Sequence, residues 1–239
     1  MLISLEDTNY KLVKEYLEKS VNHHILQRYI DNHNFPIIEK SYHKYLTFES
    51  LEEDFTYILK DGIVKQSVLS KYGMEFNLRY VTGLEITSVL NTGYSKDMGE
   101  PYNVRIESEK ASFYKVRRSA FLKDINEDIE LQGYVKDFYH NRLQKSMKKM
   151  QCMLTNGRIG AISTQIYDLM TLFGEELPNG QILINFIITN EELGKFCGIS
   201  TASSVSRILK QLKEKNIIRI DKQHIIITNL DKLKDNIVF

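Results

Sequence analysis

The stretch TNEELGKFCGISTASSVSRILKQL, residues 189–212, predicts two short helices that meet at a tight turn. Thr189 has the side chain of a good N-cap, and Glu192 follows at the spacing of a capping box. Gly194 leaves room for a second helix to cross closely, and Gly198 permits the left-handed turn that ends the first helix. The stretch is therefore predicted to be a helix-turn-helix.

The second predicted helix has one apolar side and one polar side. Apolar residues recur at helical spacing from Ile199 to Leu212, whereas short hydroxyl side chains and Arg207 occupy the other side. Such side chains suit the major groove of DNA, where an arginine can donate two hydrogen bonds to a guanine. The residues predicted to contact DNA are Thr189, Ser200, Thr201, Ala202, Ser203, Ser204, Ser206, Arg207, Lys210 and Lys222. The alternative is a buried helical hairpin that binds no nucleic acid.

The residues on both sides of this motif predict the remainder of a winged helix. Downstream, residues 217–220 and 224–228 read as short apolar strands around a polar turn. Upstream, a turn at 177–180 precedes an apolar strand at 181–188. Between residues 189 and 224, seven Lys and Arg residues stand against four Asp and Glu residues, and this local positive charge suits phosphate contacts.

The composition limits the class of protein. The chain has 239 residues and a formal charge of +1, so it can form two compact domains without a general positive field. No apolar run approaches the ~18 residues of a membrane span and no signal-peptide pattern is present, so a soluble, cytoplasmic protein is expected. Cys152 and Cys197 have no metal-ligand spacing. His23, His24 and His43 lack partner residues, so neither an enzyme nor a metal centre is expected.

Between about residues 35 and 116 the apolar pattern takes the two-residue period of strands. Strands are predicted at 42–48, 56–59, 63–69, 76–80, 102–107 and 112–116. Short strands at this spacing indicate a β-barrel or jelly roll, and residues 4–33 have a helical pattern before it. The predicted fold is α+β, with N-terminal helices and a barrel at 1–124, a long helix at 125–155 and a winged helix-turn-helix at 156–239.

The predicted long helix carries an apolar stripe that a single helix cannot bury by itself. The residues of the stripe, three or four positions apart, are Val135, Tyr139, Leu143, Met147, Met150 and Leu154. This spacing favours pairing with the same helix of a second chain, for which methionines provide an adaptable seam. A homodimer of this kind could read two DNA half-sites one helical turn apart. The alternative is that the helix lies along the barrel throughout.

Five short motifs, together with the order of the domains, are similar to those of a known family. They are Tyr42-His43-Lys44, Asp61-Gly62-Ile63-Val64-Lys65, Asn77-Leu78-Arg79-Tyr80, Asn156-Gly157-Arg158-Ile159-Gly160 and Ile199-Ser200-Thr201-Ala202-Ser203-Ser204-Val205-Ser206-Arg207. From about residue 23 onwards the chain resembles the Crp/Fnr family of bacterial transcription regulators, and within it the PrfA-like branch of virulence regulators. The resemblance implies a homodimer that reads a near-palindromic operator, contacts RNA polymerase and is modulated by a small ligand through a cyclic-nucleotide-binding-like barrel.

The resemblance also implies which ligands to expect. Members that bind cyclic AMP follow a Gly-Glu pair with an Arg and a small hydroxyl residue, but Gly99-Glu100 has no such partner at that spacing, so cyclic AMP is not expected. PrfA-like proteins can be switched by glutathione. The matching residues here are Arg79, Tyr80, Val81, Thr82, Asn141, Arg142 and Lys145. Because positions 81, 82 and 145 depart from that branch, glutathione, another small anion and a constitutive regulator or interaction module without any ligand all stay open.

The two cysteines have two interpretations. Free cysteines are usually small core residues. Alternatively, Cys197 reports redox state, because a mixed disulfide directly before Gly198 would separate the crossing helices. Oxidised glutathione would then abolish DNA binding unless Cys197 were replaced. The same two interpretations apply to Cys152, near the end of the long helix.

Overall fold

A computed structural model describes residues 24–88 and 99–237. His23 and most of the helix predicted at residues 4–33 lie outside the described residues. Among the described residues, one compact unit contains 24–64 and 81–140, and a second contains 65–80 and 141–237. The chain therefore enters the second unit twice, first as a short segment and then as its C-terminal part.

The elements follow one another in a simple order. A first helix, α1, covers the described residues 24–31. The strands and helices after it are β1 (Ile37–Ser41), β2 (Tyr45–Thr47), β3 (Phe55–Asp61), β4 (Ile63–Leu69), β5 (Glu75–Thr82), β6 (Glu85–Ile86), β7 (Asn103–Ile106), β8 (Lys110–Arg117), α2 (Arg118–Glu127), α3 (Ile129–Thr155), α4 (Gly157–Phe173), β9 (Gly174–Glu176), β10 (Ile182–Ile184), α5 (Asn190–Cys197), α6 (Ala202–Glu214), β11 (Ile218–Asp221), β12 (His224–Ile227) and α7 (Leu230–Lys234). Most strands thus precede the long helix α3, and helices with short strands follow it. Strands and helices segregated in this way are typical of an α+β fold.

The strands up to β8 form two four-stranded sheets, with the orders β1-β8-β3-β6 and β2-β7-β4-β5. These sheets confirm the predicted N-terminal sheet domain, and β4 has the predicted bounds. The strand predicted at 42–48 is wrong at its start, because a turn with His43 at a φ of 59° separates β1 from β2. The sequence analysis missed β1, since none of its residues is fully buried and its apolar pattern is weak.

A buried apolar cluster joins α1, the first sheet, α2 and the start of α3. Its members are Leu26, Tyr29, Ile30, Ile58, Ile86, Val116, Phe121, Ile125, Leu131 and Tyr134. The Tyr29 hydroxyl donates a hydrogen bond of 2.7 Å to the Asp124 carboxylate. Burial and this carboxylate together raise the pKa of Tyr29 above its usual range. The helix α1 is therefore fastened to α2 by packing and by a polar contact.

The long helix begins later than predicted. After α2 ends at Glu127, Asp128 is extended, with φ −107° and ψ 109°, so the predicted start near residue 125 is wrong. The Asp128 carboxylate accepts hydrogen bonds from the backbone N–H groups of Glu130 (2.9 Å) and Leu131 (3.1 Å), as an N-cap does. From there α3 runs for 27 residues, about 40 Å. The domain boundaries predicted at 124/125 and 155/156 stay predictions.

The C-terminal part contains the predicted helix-turn-helix and wing. Gly198 ends α5 in the left-handed conformation, with φ 63° and ψ 28°. A Cβ atom on Gly194 would lie 2.6 Å from the carbonyl oxygen of Ile199, so glycine is required for this close crossing. A four-stranded sheet with the order β11-β12-β10-β9 packs in the same unit. The strand predicted at 181–188 is shorter than expected, because β10 has only three residues and pairs with β9 across the turn at 177–180.

Candidate nucleic-acid interface

The first helix of the motif is capped by Thr189, as predicted. The Thr189 hydroxyl accepts a hydrogen bond of 3.1 Å from the backbone N–H of Glu192. The carboxylate of Glu192, the other half of the predicted capping box, accepts hydrogen bonds from Lys65 (2.7 Å) and Asn77 (3.0 Å) of the β4–β5 hairpin. A polar side chain at the start of α5 thus connects the motif to a hairpin more than a hundred residues away in sequence.

The second helix begins with a network of hydroxyl groups. Thr201 is the N-cap of α6, and its hydroxyl accepts a hydrogen bond of 3.3 Å from the backbone N–H of Ser204. The same hydroxyl donates to the Ser204 hydroxyl (2.8 Å) and accepts from that of Ser203 (3.4 Å). Thr201 therefore stabilises the helix start as a cap, a role that the sequence analysis did not assign to it.

The two sides of α6 differ sharply in exposure. Val205, Ile208, Leu209 and Leu212 are buried. Most of the predicted DNA-contacting residues at the turn and on α6 are exposed, and only Ser204 among them is half-buried. The exposed ones are Ser200, Thr201, Ala202, Ser203, Ser206, Arg207 and Lys210. Lys210 forms a surface ion pair with Glu214 at 3.8 Å. Ser203, Arg207 and Lys210 follow each other at helical spacing, so they share one exposed face.

The wing ends in a tight turn that carries a basic residue. Lys222 and Gln223 connect β11 to β12 with φ values of 45° and 70°. Two left-handed residues at the centre of a two-residue hairpin turn are the signature of a type I′ turn, whose twist matches that of the strands. Lys222 is exposed at this turn, where a cation can reach a phosphate.

Lys195, which contributed to the local positive charge predicted from the sequence, is neutralised inside the protein. Its ammonium group forms ion pairs with Glu75 (3.3 Å), Glu191 (3.1 Å) and Glu192 (3.2 Å). Although partial burial lowers the pKa of Lys195, these carboxylates raise it overall above its usual range. The phosphate-binding charge therefore rests on the exposed cations of α6 and the wing.

Within the second unit, two of the predicted ligand-binding residues meet at one side chain. In the second unit, Arg79 Nε (2.8 Å) and Arg142 Nη2 (3.0 Å) both donate to Oε1 of Gln66, a buried residue that sequence reasoning missed. Asn141 and Lys145 are exposed in this unit. Val81 and Thr82 belong to the first unit, where Val81 is buried. The signal for Gln66 in the sequence was its place in a run of three polar residues, Lys65-Gln66-Ser67, at the centre of an apolar strand.

Tyr80, which was predicted to bind a ligand, has a structural role in the second unit. Its side chain is buried, and its ring packs against Phe186 at 5.0 Å and Phe196 at 4.9 Å between ring centroids. Aromatic rings at these distances and tilted angles attract each other. Tyr80 is therefore part of an aromatic core cluster that joins β5 to α5, and its contact with a ligand stays a prediction.

The Gly-Glu pair that resembles a cyclic-nucleotide motif is used structurally. Glu100 is buried, and its carboxylate accepts a hydrogen bond of 2.8 Å from Nη2 of Arg118. Residues 89–98, which precede the pair, lie outside the described residues. In the described part of the chain, no three His, Cys, Asp or Glu side chains are grouped so as to hold a metal ion. None of the helices described is long and apolar enough to cross a membrane.

The apolar stripe of α3 divides into a covered and an uncovered part. Val135 packs partly against the core cluster of the first unit, and Tyr139 is half-buried. The remaining members are large exposed apolar side chains, namely Leu143, Met147, Met150 and Leu154. Their exposed fractions lie between 57% and 78%, so the C-terminal half of α3 presents an apolar surface to solvent.

Both cysteines are free and buried. Burial raises the pKa of the Cys197 thiol to about 12. The positive charge of the neighbouring Lys149 lowers this pKa, but by less than burial raises it. Because the thiolate is the reactive form, these properties favour a structural role over redox sensing.

We expect iodoacetamide at neutral pH to label Cys197 slowly in the native protein. A pKa near 12 leaves so little thiolate that labelling of a Cys152→Ala variant should be about a thousandfold slower than in denaturant. Mass spectrometry of timed, quenched samples measures both rates. Rapid native labelling, with loss of DNA binding on treatment with oxidised glutathione, would instead support the redox interpretation.

We expect the stability of the protein to fall in acid through Glu192. Burial raises the pKa of Glu192, but the hydrogen bonds and charges of Lys65 and Lys195 lower it overall from 4.5 to about 2. A folded-state pKa below the unfolded value stabilises the protein above about pH 4.5, and this contribution is lost as the pH falls towards 2. Denaturant unfolding across this range should show a shallower pH dependence for Glu192→Gln. Equal slopes for both proteins would contradict the contribution of Glu192.

Comparisons with known proteins agree with this arrangement. Residues 165–235 match the Crp-like helix-turn-helix domain. The chain is 43% identical to the lactate racemization regulatory protein of Lactiplantibacillus plantarum, over 89% of this chain and 96% of that protein. It is 29% identical to the listeriolysin regulatory protein of Listeria monocytogenes, over 82% and 83% of the two chains.

A solved structure extends the likeness to the fold of most of the chain. The structure of FixK2 from Bradyrhizobium japonicum superposes with a TM-score of 0.70, at 14% identity, over 87% of this chain and 99% of that one. The sheets before α3 and the winged helix after it therefore occur together in another solved structure. The sequence identity, the matched domain and the exposed face of α6 lead to one conclusion: the chain belongs to the Crp/Fnr family of DNA-binding transcription regulators.

Proposed function

We propose that this regulator acts as a homodimer that reads a near-palindromic operator. The observation that carries the proposal is the exposed face of α6, on which Ser203 and Arg207 stand above a buried apolar side. A recognition helix enters the major groove with residues of its first turns against the base edges. Lys222, at the tip of the wing, is suited to bind a phosphate of the flanking backbone.

Dimer formation is supported by the uncovered part of α3. The exposed apolar residues of this part are Leu143, Met147, Met150 and Leu154. Contiguous apolar surface of this kind usually marks an interface. Their spacing of three and four residues fits a pair of helices packed side by side. A two-fold dimer would present two copies of α6 to two half-sites. RNA polymerase is the proposed protein partner of the DNA-bound dimer.

A small anionic effector is the second part of the proposal. Arg79 and Arg142 both point at the Gln66 oxygen, so their guanidinium groups share one small region of the second unit. Two guanidinium groups so placed are suited to bind a carboxylate. The relative from Lactiplantibacillus plantarum is named for lactate racemization, which makes a small hydroxycarboxylate a candidate beside glutathione. The alternative is a constitutive regulator, because Gln66 already accepts a hydrogen bond from each arginine.

The effector proposal is tested by titrating lactate, reduced glutathione and cyclic AMP into a complex of the protein with operator DNA. Fluorescence anisotropy then gives the operator affinity at each concentration. One of the carboxylates is expected to change the affinity of the wild-type protein but not that of Arg142→Met, and cyclic AMP is expected to have no effect. If neither lactate nor glutathione changes binding, the constitutive alternative is supported instead.

A further inference from the structure

Four charged side chains form a closed ring between the β4–β5 hairpin and the first helix of the motif. We call Lys65, Glu75, Glu192 and Lys195 the charge ring. Lys65 Nζ lies 2.7 Å from Glu192 and 3.2 Å from Glu75. Lys195 Nζ lies 3.2 Å from Glu192 and 3.3 Å from Glu75. Positive and negative charges therefore alternate, with two members from the hairpin and two from α5, all within the second unit.

The charge ring is largely removed from solvent. The Lys65 side chain is 0% exposed, and those of Glu75, Glu192 and Lys195 are 14%, 21% and 27% exposed. A charge at such a depth is tolerated only when its partners compensate it, and removal of one partner leaves the others uncompensated. Within the ring each member has two opposite charges as neighbours, and Lys195 is also paired with Glu191 outside it. The ring is therefore complete only in this arrangement of hairpin and helix.

A second contact strengthens the attachment at the start of α5. Asn77 Nδ2 donates to the Glu192 carboxylate at 3.0 Å and to the Glu192 backbone carbonyl oxygen at 3.4 Å. Glu192 is also the residue whose N–H is held by the Thr189 cap. The first turn of α5 is thus fixed from two directions, by its own cap and by the hairpin.

The orientation of α5 determines that of the recognition helix. Gly194 of α5 lies against the carbonyl oxygen of Ile199 and against Val205 of α6, so close that a Cβ atom would lie 2.6 Å and 3.3 Å from them. Because close-packed interiors transmit strain, a shift of α5 would be passed on to α6. None of the side chains predicted to contact DNA belongs to the β4–β5 hairpin. The hairpin is nevertheless connected, through α5, to the recognition helix α6.

We propose that Lys65 and Glu192 are positioning residues for DNA recognition, through which the β4–β5 hairpin orients the helix-turn-helix and thereby sets operator affinity. Well-packed apolar residues are often as stable as a buried ion cluster. The charges add directional hydrogen bonds, which can all form in only one arrangement. These bonds therefore specify one orientation of α5 relative to the hairpin. The inference depends on DNA binding by the family and is independent of any effector.

A merely stabilising role and a positioning role differ in a measurable ratio. Loss of folded protein lowers binding to operator and to unrelated DNA in the same proportion. A recognition helix that is folded but wrongly oriented loses base contacts while it keeps phosphate contacts, so the ratio of specific to non-specific affinity falls. The charge ring is neutral overall, and the double variant Lys65→Met/Glu192→Gln keeps the net charge of the protein, which removes a general electrostatic explanation.

The experiment measures the binding of the full chain to its best selected operator and to a scrambled duplex at several salt concentrations. Lys65→Met is expected to lower the ratio of the two affinities by about tenfold, with unchanged non-specific affinity and salt dependence. The double variant is expected to lose less than the two single variants combined, since each breaks the same contact. Lys110→Met, which removes a surface ion pair with Glu39 at 3.5 Å, is the matched control and should bind like the wild type.

Two outcomes would overturn the proposal. One is a Lys65→Met protein that is folded by circular dichroism and retains the wild-type ratio. The other is a parallel loss of both affinities that matches the unfolded fraction, which would reduce the charge ring to a stabilising element. If Lys65→Met does not fold, Glu75→Gln is measured in the same way. A lowered ratio then supports the positioning role, and a wild-type ratio refutes it.

Discussion

Arg207→Ala is expected to weaken operator binding by about 1–3 kcal/mol and to relax the preference for one base step. Arg207 is exposed on the polar face of α6, one helical turn after Ser203, and it lies above the buried Val205 and Ile208. From this position its guanidinium group can donate two hydrogen bonds to a guanine edge. Alanine removes both, and the acceptors of the guanine then lose their partners in a partly dehydrated groove.

Lys222→Ala is the matched control for this prediction. Lys222 is exposed at the wing tip and is expected to contact a phosphate, which carries no sequence information. Its removal should weaken binding to all duplexes alike and reduce the slope of log affinity against log salt by about one unit. Anisotropy titrations with the operator and its single-base variants separate the two patterns. Wild-type affinity of Arg207→Ala for the operator would show that α6 is not the base-reading helix.

Met147→Asp combined with Met150→Asp is expected to produce monomers that no longer bind the operator. Met147 and Met150 are 57% and 58% exposed on α3, between Leu143 and Leu154. In a paired helix the substitutions would place four carboxylates in one apolar seam, and the cost of burying an unpaired charge exceeds the stability of most interfaces. A monomer can engage only one half-site, so operator affinity should fall sharply.

The control for this prediction places two aspartates elsewhere on α3. Asn141→Asp with Lys148→Asp changes two exposed residues outside the stripe and should leave the dimer intact. Light scattering gives the mass of each variant, and circular dichroism shows that both remain folded. A Met147→Asp/Met150→Asp protein that stays dimeric would place the interface on another surface.

The helix-turn-helix could be predicted from the sequence because its signals are local. Thr189 and Gly198 mark the ends of α5, and both act as predicted through contacts within a few residues. The signal for the break between α2 and α3 is also local, because Asp128 caps α3. It was missed because the apolar spacing continues on both sides of Asp128. Local signals are thus reliable where cap, turn and apolar period agree.

The contacts that join distant segments could not be predicted in the same way. Lys65 and Glu192 are 127 positions apart, and each has an ordinary local explanation, as a strand residue and as half of a capping box. Gln66 and Arg142 are separated by 76 positions, so their meeting depends on the tertiary fold. The resemblance predicted that Tyr80 binds a ligand. In the structure its ring packs in an aromatic core cluster. Side-chain chemistry alone does not distinguish these roles.

The central claim, that this chain is a homodimeric reader of a near-palindromic operator, is tested most directly by selection from a randomised duplex library. The selected duplexes are sequenced, and the stoichiometry of their complexes is measured by analytical ultracentrifugation. We predict two related half-sites in opposite orientation, with centres one helical turn apart (about 10 base pairs), bound by two protomers. Enrichment of a single half-site bound by one protomer, or no enrichment at all, would contradict the claim.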